Sequence, residues 1–126
     1  MAQETNLIKS AVDVSEVIQD YARKAGWRPE EYKIQMIINT NFFWMMIFLF
    51  TKFPLNEDEK QNIYDDLFDR IRKKYKENDH VPVGFNSFGI DIEDKEGIMY
   101  NTLPYFEDAV YVPSELLNPP PAGAAR

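Results

Sequence analysis

The side chains of this sequence with the means to do chemistry are few, and most are carboxylates. Histidine occurs once, at His80, beside Asp79 and upstream of Ser87. A histidine general base needs a carboxylate to orient one ring nitrogen and a nucleophile or water at the other. Asp79, His80 and Ser87 are the right residue types for a small carboxylate- and histidine-dependent hydrolase or ligand-binding enzyme. The competing reading is an exposed loop histidine after a helix. Asp65 and Asp69, with Asp66 between them, are four apart and share one helix face, as a metal site or an acid–base pair would require. Arg72 and Lys73, three and four residues beyond Asp69, explain the same pattern as local ion pairs.

The run Asp91, Glu93, Asp94, Glu96, Gly97 has the composition of a calcium loop but not its spacing. A loop starting at Asp91 would put Lys95 at the fifth ligand position and Glu96 where the turn glycine belongs. A hairpin turn with a charged tip fits better. Cysteine is absent, which removes disulfides, thiolate nucleophiles and Cys-containing zinc sites. There is no Gly-rich phosphate loop and no G-x-S-x-G elbow. No catalytic residue, metal or cofactor is therefore assigned.

Positioning any of these groups falls to a chain of 126 residues carrying a net charge of −7. That length suits one domain, and the negative charge repels phosphate backbones and anionic membranes, so nucleic acid is not an expected partner. The charge is uneven. Residues 1–56 and 57–76 each hold six basic and six acidic residues, so the excess lies in 77–126, with two basic against nine acidic. Asp91, Glu93, Asp94, Glu96, Glu107 and Asp108 form its candidate acidic patch. Such a patch could imitate DNA towards a basic protein, but a solvated acidic surface is the simpler account. No signal-peptide pattern and no lipidation motif is present, which points to the cytoplasm.

Val14, Val17, Ile18, Tyr21, Ala22 and Ala25 recur at helical spacing, with Gly26 as the stop and Asp13/Glu16 as a capping box unless Leu7, Ile8 and Ala11 extend the helix upstream. A second helix starts at the capping box Asn56/Glu59 and carries the stripe Ile63, Tyr64, Leu67, Phe68, Ile71, Tyr75, with acidic residues first and basic residues last. Between them, residues 34–51 contain no charge. A membrane span would place Gln35, Asn39, Thr40 and Asn41 in hydrocarbon, and a buried helix would scatter its polar positions over every face. Two strands fit better: Tyr32, Ile34, Met36 and Ile38 alternate with Lys33, Gln35, Ile37 and Asn39, the turn lies at 39–41, and residues 42–50 form an apolar central strand. Phe88–Ile92 and Ile98–Thr102 alternate as an antiparallel hairpin, and Ala109–Val112 offers one more edge strand.

The expected fold is a single α+β domain over 1–117 with a Pro/Ala-rich tail at 118–126. Two amphipathic helices pack on a four- to five-stranded, mainly antiparallel sheet in the order α-β-β-α-β-β. The helices cover one side of the central strand, and its other apolar side needs a second cover. Candidates are a second copy, a different protein, or the chain's own arm 104–117. Phe43, Met45, Ile47 and Leu49, with Trp44, Tyr105, Phe106 and Tyr111, are the candidate interface, rich in the aromatic and Met side chains favoured at interface centres. The function expected is protein association without catalysis: an accessory subunit, a dedicated chaperone or an inhibitor-like module.

Overall fold

The computed structural model describes residues 2–39, 44–74, 85, 87–95 and 109–118. Helix α1 spans Ala2–Ala25, a 3-10 turn covers Pro29–Glu31, and strands β1 (Tyr32–Asn39) and β2 (Trp44–Thr51) follow. Helix α2 (Glu57–Lys74), strand β3 (Ser87–Glu93), strand β4 (Ala109–Tyr111) and the short helix α3 (Ser114–Leu117) complete the order. The fold is α+β with a four-stranded sheet ordered β3-β2-β1-β4 among the described residues.

The uncharged middle of the sequence is a hairpin: β1 and β2 pair antiparallel from Tyr32↔Thr51 to Asn39↔Trp44. The sheet is mixed rather than mainly antiparallel, because β3 runs parallel to β2. The intervening α2 carries the chain back to the starting end of β2, as a parallel crossover requires. The expected hairpin partner of β3, Ile98–Thr102, lies outside the described residues. The apolar run starting at Ala109 does form an edge strand, antiparallel to β1.

Both helices supply one buried stripe to the same core. Leu7, Ala11, Val14, Ile18 and Ala22 of α1 and Ile63, Leu67 and Ile71 of α2 meet Ile34, Met36, Ile38, Met45, Ile47, Leu49, Ile90 and Ile92 of the sheet. Helix α1 starts well before Asp13, so Asp13 and Glu16 sit within the helix and cap nothing; the apolar stripe reaching back to Leu7 decides the extent. At α2 the capping box forms as expected: Glu59 N donates to Asn56 Oδ1 at 2.8 Å, and Asn56 N to Glu59 Oε1 at 2.8 Å.

Helix α1 ends in a Schellman motif. Gly26 has φ +85°, its N–H bonds Arg23 O at 3.1 Å, and Trp27 N bonds Ala22 O at 2.9 Å. Trp27 then packs edge-on to Tyr21 at 5.7 Å and against Phe53 at 5.2 Å, which joins the helix end to the loop after β2. A Cβ on Gly26 would meet no atom within 4 Å, so only backbone conformation demands glycine there. Gly26→Ala should cost about 1–2 kcal/mol and Gly26→Asn less, read as a lower urea midpoint at unchanged m-value.

Candidate functional site

Strand β2 has two apolar faces. On one, Met45, Ile47 and Leu49 are completely buried beneath the helices. On the other stand Trp44, Met46, Phe48 and Phe50, of which the first three are half-buried. This corrects the assignment of Met45, Ile47 and Leu49 to an interface: they belong to the internal core, and the face that α1 and α2 leave uncovered is the even-numbered one. The reason is register. A turn confined to residues 39–41 would set Ile38 opposite Phe42 and put even-numbered β2 residues in the core. The observed pairing Ile38↔Met45 leaves four residues between the paired ends and inverts the faces. Phe43, Tyr105 and Phe106 lie outside the described residues.

The helix-free face is graded. At its β1 side Gln35, Ile37 and Asn39 are buried, and Phe50 is 1% exposed. Phe48 stacks on Phe50 at 6.0 Å, and Lys95 Nζ lies 5.9 Å from the centre of the Phe50 ring. Towards β3 the cover thins, leaving Trp44, Met46 and Phe48 partly exposed, with Tyr111 of β4 partly exposed on the same face. Gly89 faces Met46 in register, and a Cβ there would lie 3.0 Å from Met46 Sδ, so the missing side chain lets Met46 lean over β3. Of the described part of the 104–117 arm, only Tyr111 shares this face, at the β4 edge. Val110 packs against the core under the helices, Leu117 is buried within it, and β4 pairs along the outer edge of β1.

The acidic residues at the end of β3 are tied into the fold. Lys60 Nζ of α2 lies 3.4 Å from Glu93, 4.0 Å from Asp94 and 3.6 Å from Glu57. Partial desolvation alone would lower the Lys60 pKa; the three carboxylates outweigh it and hold the ammonium above its usual value. Asp94 Oδ2 accepts the Leu55 N–H at 3.0 Å, which holds its carboxyl below the usual range and fastens the end of β3 to the approach to α2. Asp91 behaves oppositely: burial, followed by the hydrogen bond and charge of Glu93, pushes its carboxyl up. Glu57, Lys60, Gln61, Tyr64, Ile90, Asp91 and Ile92 line an open cleft of about 180 Å³ between α2 and β3. Glu96, Glu107 and Asp108 lie outside the described residues.

Among the described residues the remaining candidates for chemistry form no shared site. Asp69 pairs with Lys73 at 3.1 Å and Arg72 at 3.2 Å, which lowers its pKa, and Asp65 accepts from Gln61 Nε2 at 2.9 Å. Ser87 is exposed at the start of β3, while Asp79 and His80 lie outside the described residues. Among the described residues no group of three or more His, Asp or Glu side chains is placed to hold a metal ion. No helix among them is long and apolar enough to cross a membrane. No family model, curated protein or solved structure matches this chain.

Asp91 gives the site a pH signature. Its folded pKa lies above the unfolded value of about 3.9, so keeping it ionised costs stability at neutral pH. That cost fades as pH falls through the raised folded value and is gone below the unfolded one. Asp91→Asn removes the partly buried charge and its repulsion with Glu93. It should raise the thermal midpoint at pH 7, with the gain over wild type vanishing below about pH 4.

Proposed function

We propose that this chain works by binding protein rather than by catalysis, with the helix-free face of β2 and β3 as its contact surface. The observation that carries this reading is the exposure gradient along β2: one apolar side is sealed under the helices, and the other keeps Trp44, Met46 and Phe48 partly in water. Burying a Phe or Met side chain fully yields about 1.5–3 kcal/mol, so completing the cover over these residues with a second molecule is favourable. Their types suit the centre of an interface, where aromatic and Met side chains concentrate. Asp91 and Glu93 lie beside them on β3 and would form a polar rim. The partner is another protein or a second copy of this chain, and the activity is that of an accessory or chaperone-like subunit.

The test is a photocrosslinking side chain at position 46, irradiated in native extract and at high concentration of the pure protein. One discrete adduct should form, and Phe48→Asp should weaken it at least tenfold while leaving the circular dichroism spectrum unchanged. With Trp27→Phe as background, Trp44 is the only tryptophan, and its emission should shift to shorter wavelength on association. A 14.8 kDa monomer that forms no adduct under either condition would overturn the proposal.

A further inference from the structure

On the helix-free face the pairing of β2 with β3 sets an aromatic ring beside a carboxylate twice in succession: Phe48 lies in register with Asp91, and Phe50 with Glu93. The two rings are parallel, 3° apart in orientation with centres 6.0 Å apart. The chain answers the second pair itself. Lys95, two residues beyond Glu93, sets its Nζ 5.9 Å from the centre of the Phe50 ring, and Lys60 of α2 reaches the Glu93 carboxylate at 3.4 Å. The first pair has no such answer. Among the described residues no cation stands over the Phe48 ring, and none lies within 4.0 Å of the Asp91 carboxylate. Both side chains are half-buried, so each keeps a part open to water. Burial first, and then the hydrogen bond and charge of Glu93, hold the Asp91 carboxyl above its usual range; the charges of Lys95 and Lys60 are too weak to reverse this.

We propose that the Phe48–Asp91 pair receives an arginine side chain of the protein that binds the helix-free face, an inference that rests on that face being a contact surface. Arginine suits the place better than lysine. Its planar guanidinium can lie on the open part of the Phe48 ring while its fork of N–H donors points sideways, in its own plane, to the carboxylate beside the ring. An ammonium is more strongly hydrated and gives up more water to enter a half-covered site. Glu93 follows Asp91 on the same face of β3, so a cation at Asp91 also offsets the repulsion between the two carboxylates. Met46, two residues before Phe48 on β2, offers an apolar seat for the neighbours of the arginine. The occupant is therefore a basic segment with apolar flanks on a different protein, complementary to the net charge of −7 on this chain. A second copy, carrying the same charge, is the poorer match.

Three peptides test this on isotope-labelled protein: acetyl-Leu-Arg-Leu-amide, its lysine counterpart, and its citrulline counterpart, which keeps the shape of arginine without the charge. In a titration with the arginine peptide followed by NMR, the Phe48 ring protons and the Asp91 carboxyl carbon should shift together and saturate. The citrulline peptide should bind roughly tenfold more weakly and the lysine peptide roughly threefold. Asp91→Asn and Phe48→Leu should each weaken the arginine peptide roughly tenfold. The inference is overturned if neither resonance moves, if the lysine or citrulline peptide binds as tightly as the arginine peptide, or if Asp91→Asn keeps full affinity. Crosslinking from position 46 reads the underlying surface separately. An adduct that forms in wild type and is undiminished in Asp91→Asn removes the arginine site alone, whereas no adduct in wild type removes the contact surface and this inference with it.

Discussion

The structure depends on one constraint: its central strand is apolar on both faces, so the fold must draw two opposite surfaces out of water around a single backbone. Met45, Ile47 and Leu49 are covered by α1 and α2. Phe50, Ile37, Gln35 and Asn39 are buried on the opposite side, and Trp44, Met46 and Phe48 remain between the two conditions. At about 25 cal/mol per Å² of apolar surface, a strand of this composition leaves little choice of position. It takes the second place of four, between β3 and β1, where its backbone is bonded on both sides.

That central place also governs how the rest of the chain is spent. An 18-residue helix after β2 spans about 27 Å, enough to return the chain along a strand of eight residues. β3 thereby adds in parallel. Lys60 at the start of α2 and Asp94 just past β3 close this unit at one end, the first through the carboxylates of β3 and the second through the Leu55 N–H. Exposed ion pairs of this kind contribute little individually. Their effect is positional: they fix where the crossover begins and where β3 ends.

Faces were more legible in the sequence than registers. The period of 3.6 in both helices and the alternation of Tyr32, Ile34, Met36 and Ile38 placed these residues on the core side, where the structure has them except for Ala25, which is exposed at the helix end; Tyr75 lies outside the described residues. The capping box at Asn56 was readable because its two partners are three residues apart. The faces of β2 were not readable, since a nine-residue apolar run has no alternation of its own and inherits its orientation from the length of the turn before it. Equally hidden was the parallel pairing of β3, because strand alternation does not depend on the direction of the neighbour. Asn118 carried no signal at all: its side chain bonds both backbone groups of Ile34, 84 residues away in the chain, and a polar residue next to prolines reads as the start of a tail.

The same distinction bears on where recognition can come from. A run of acidic residues suggests an electrostatic surface, yet Lys60 lies within 4.0 Å of Glu57, Glu93 and Asp94, and Asp94 is further engaged by a backbone N–H. Part of the field that Glu93 and Asp94 would project is compensated locally by the single Lys60 charge, and screening over about 8 Å at physiological salt weakens what remains. The apolar band of Trp44, Met46 and Phe48 is only half-buried, and incomplete burial can be relieved only by further burial. Contact energy at the proposed surface would therefore reside in side chains that the hydrophobic effect leaves unfinished, with the flanking carboxylates at its rim. A central strand whose two faces are both apolar but unequally covered would supply such a surface through the hydrophobic effect alone.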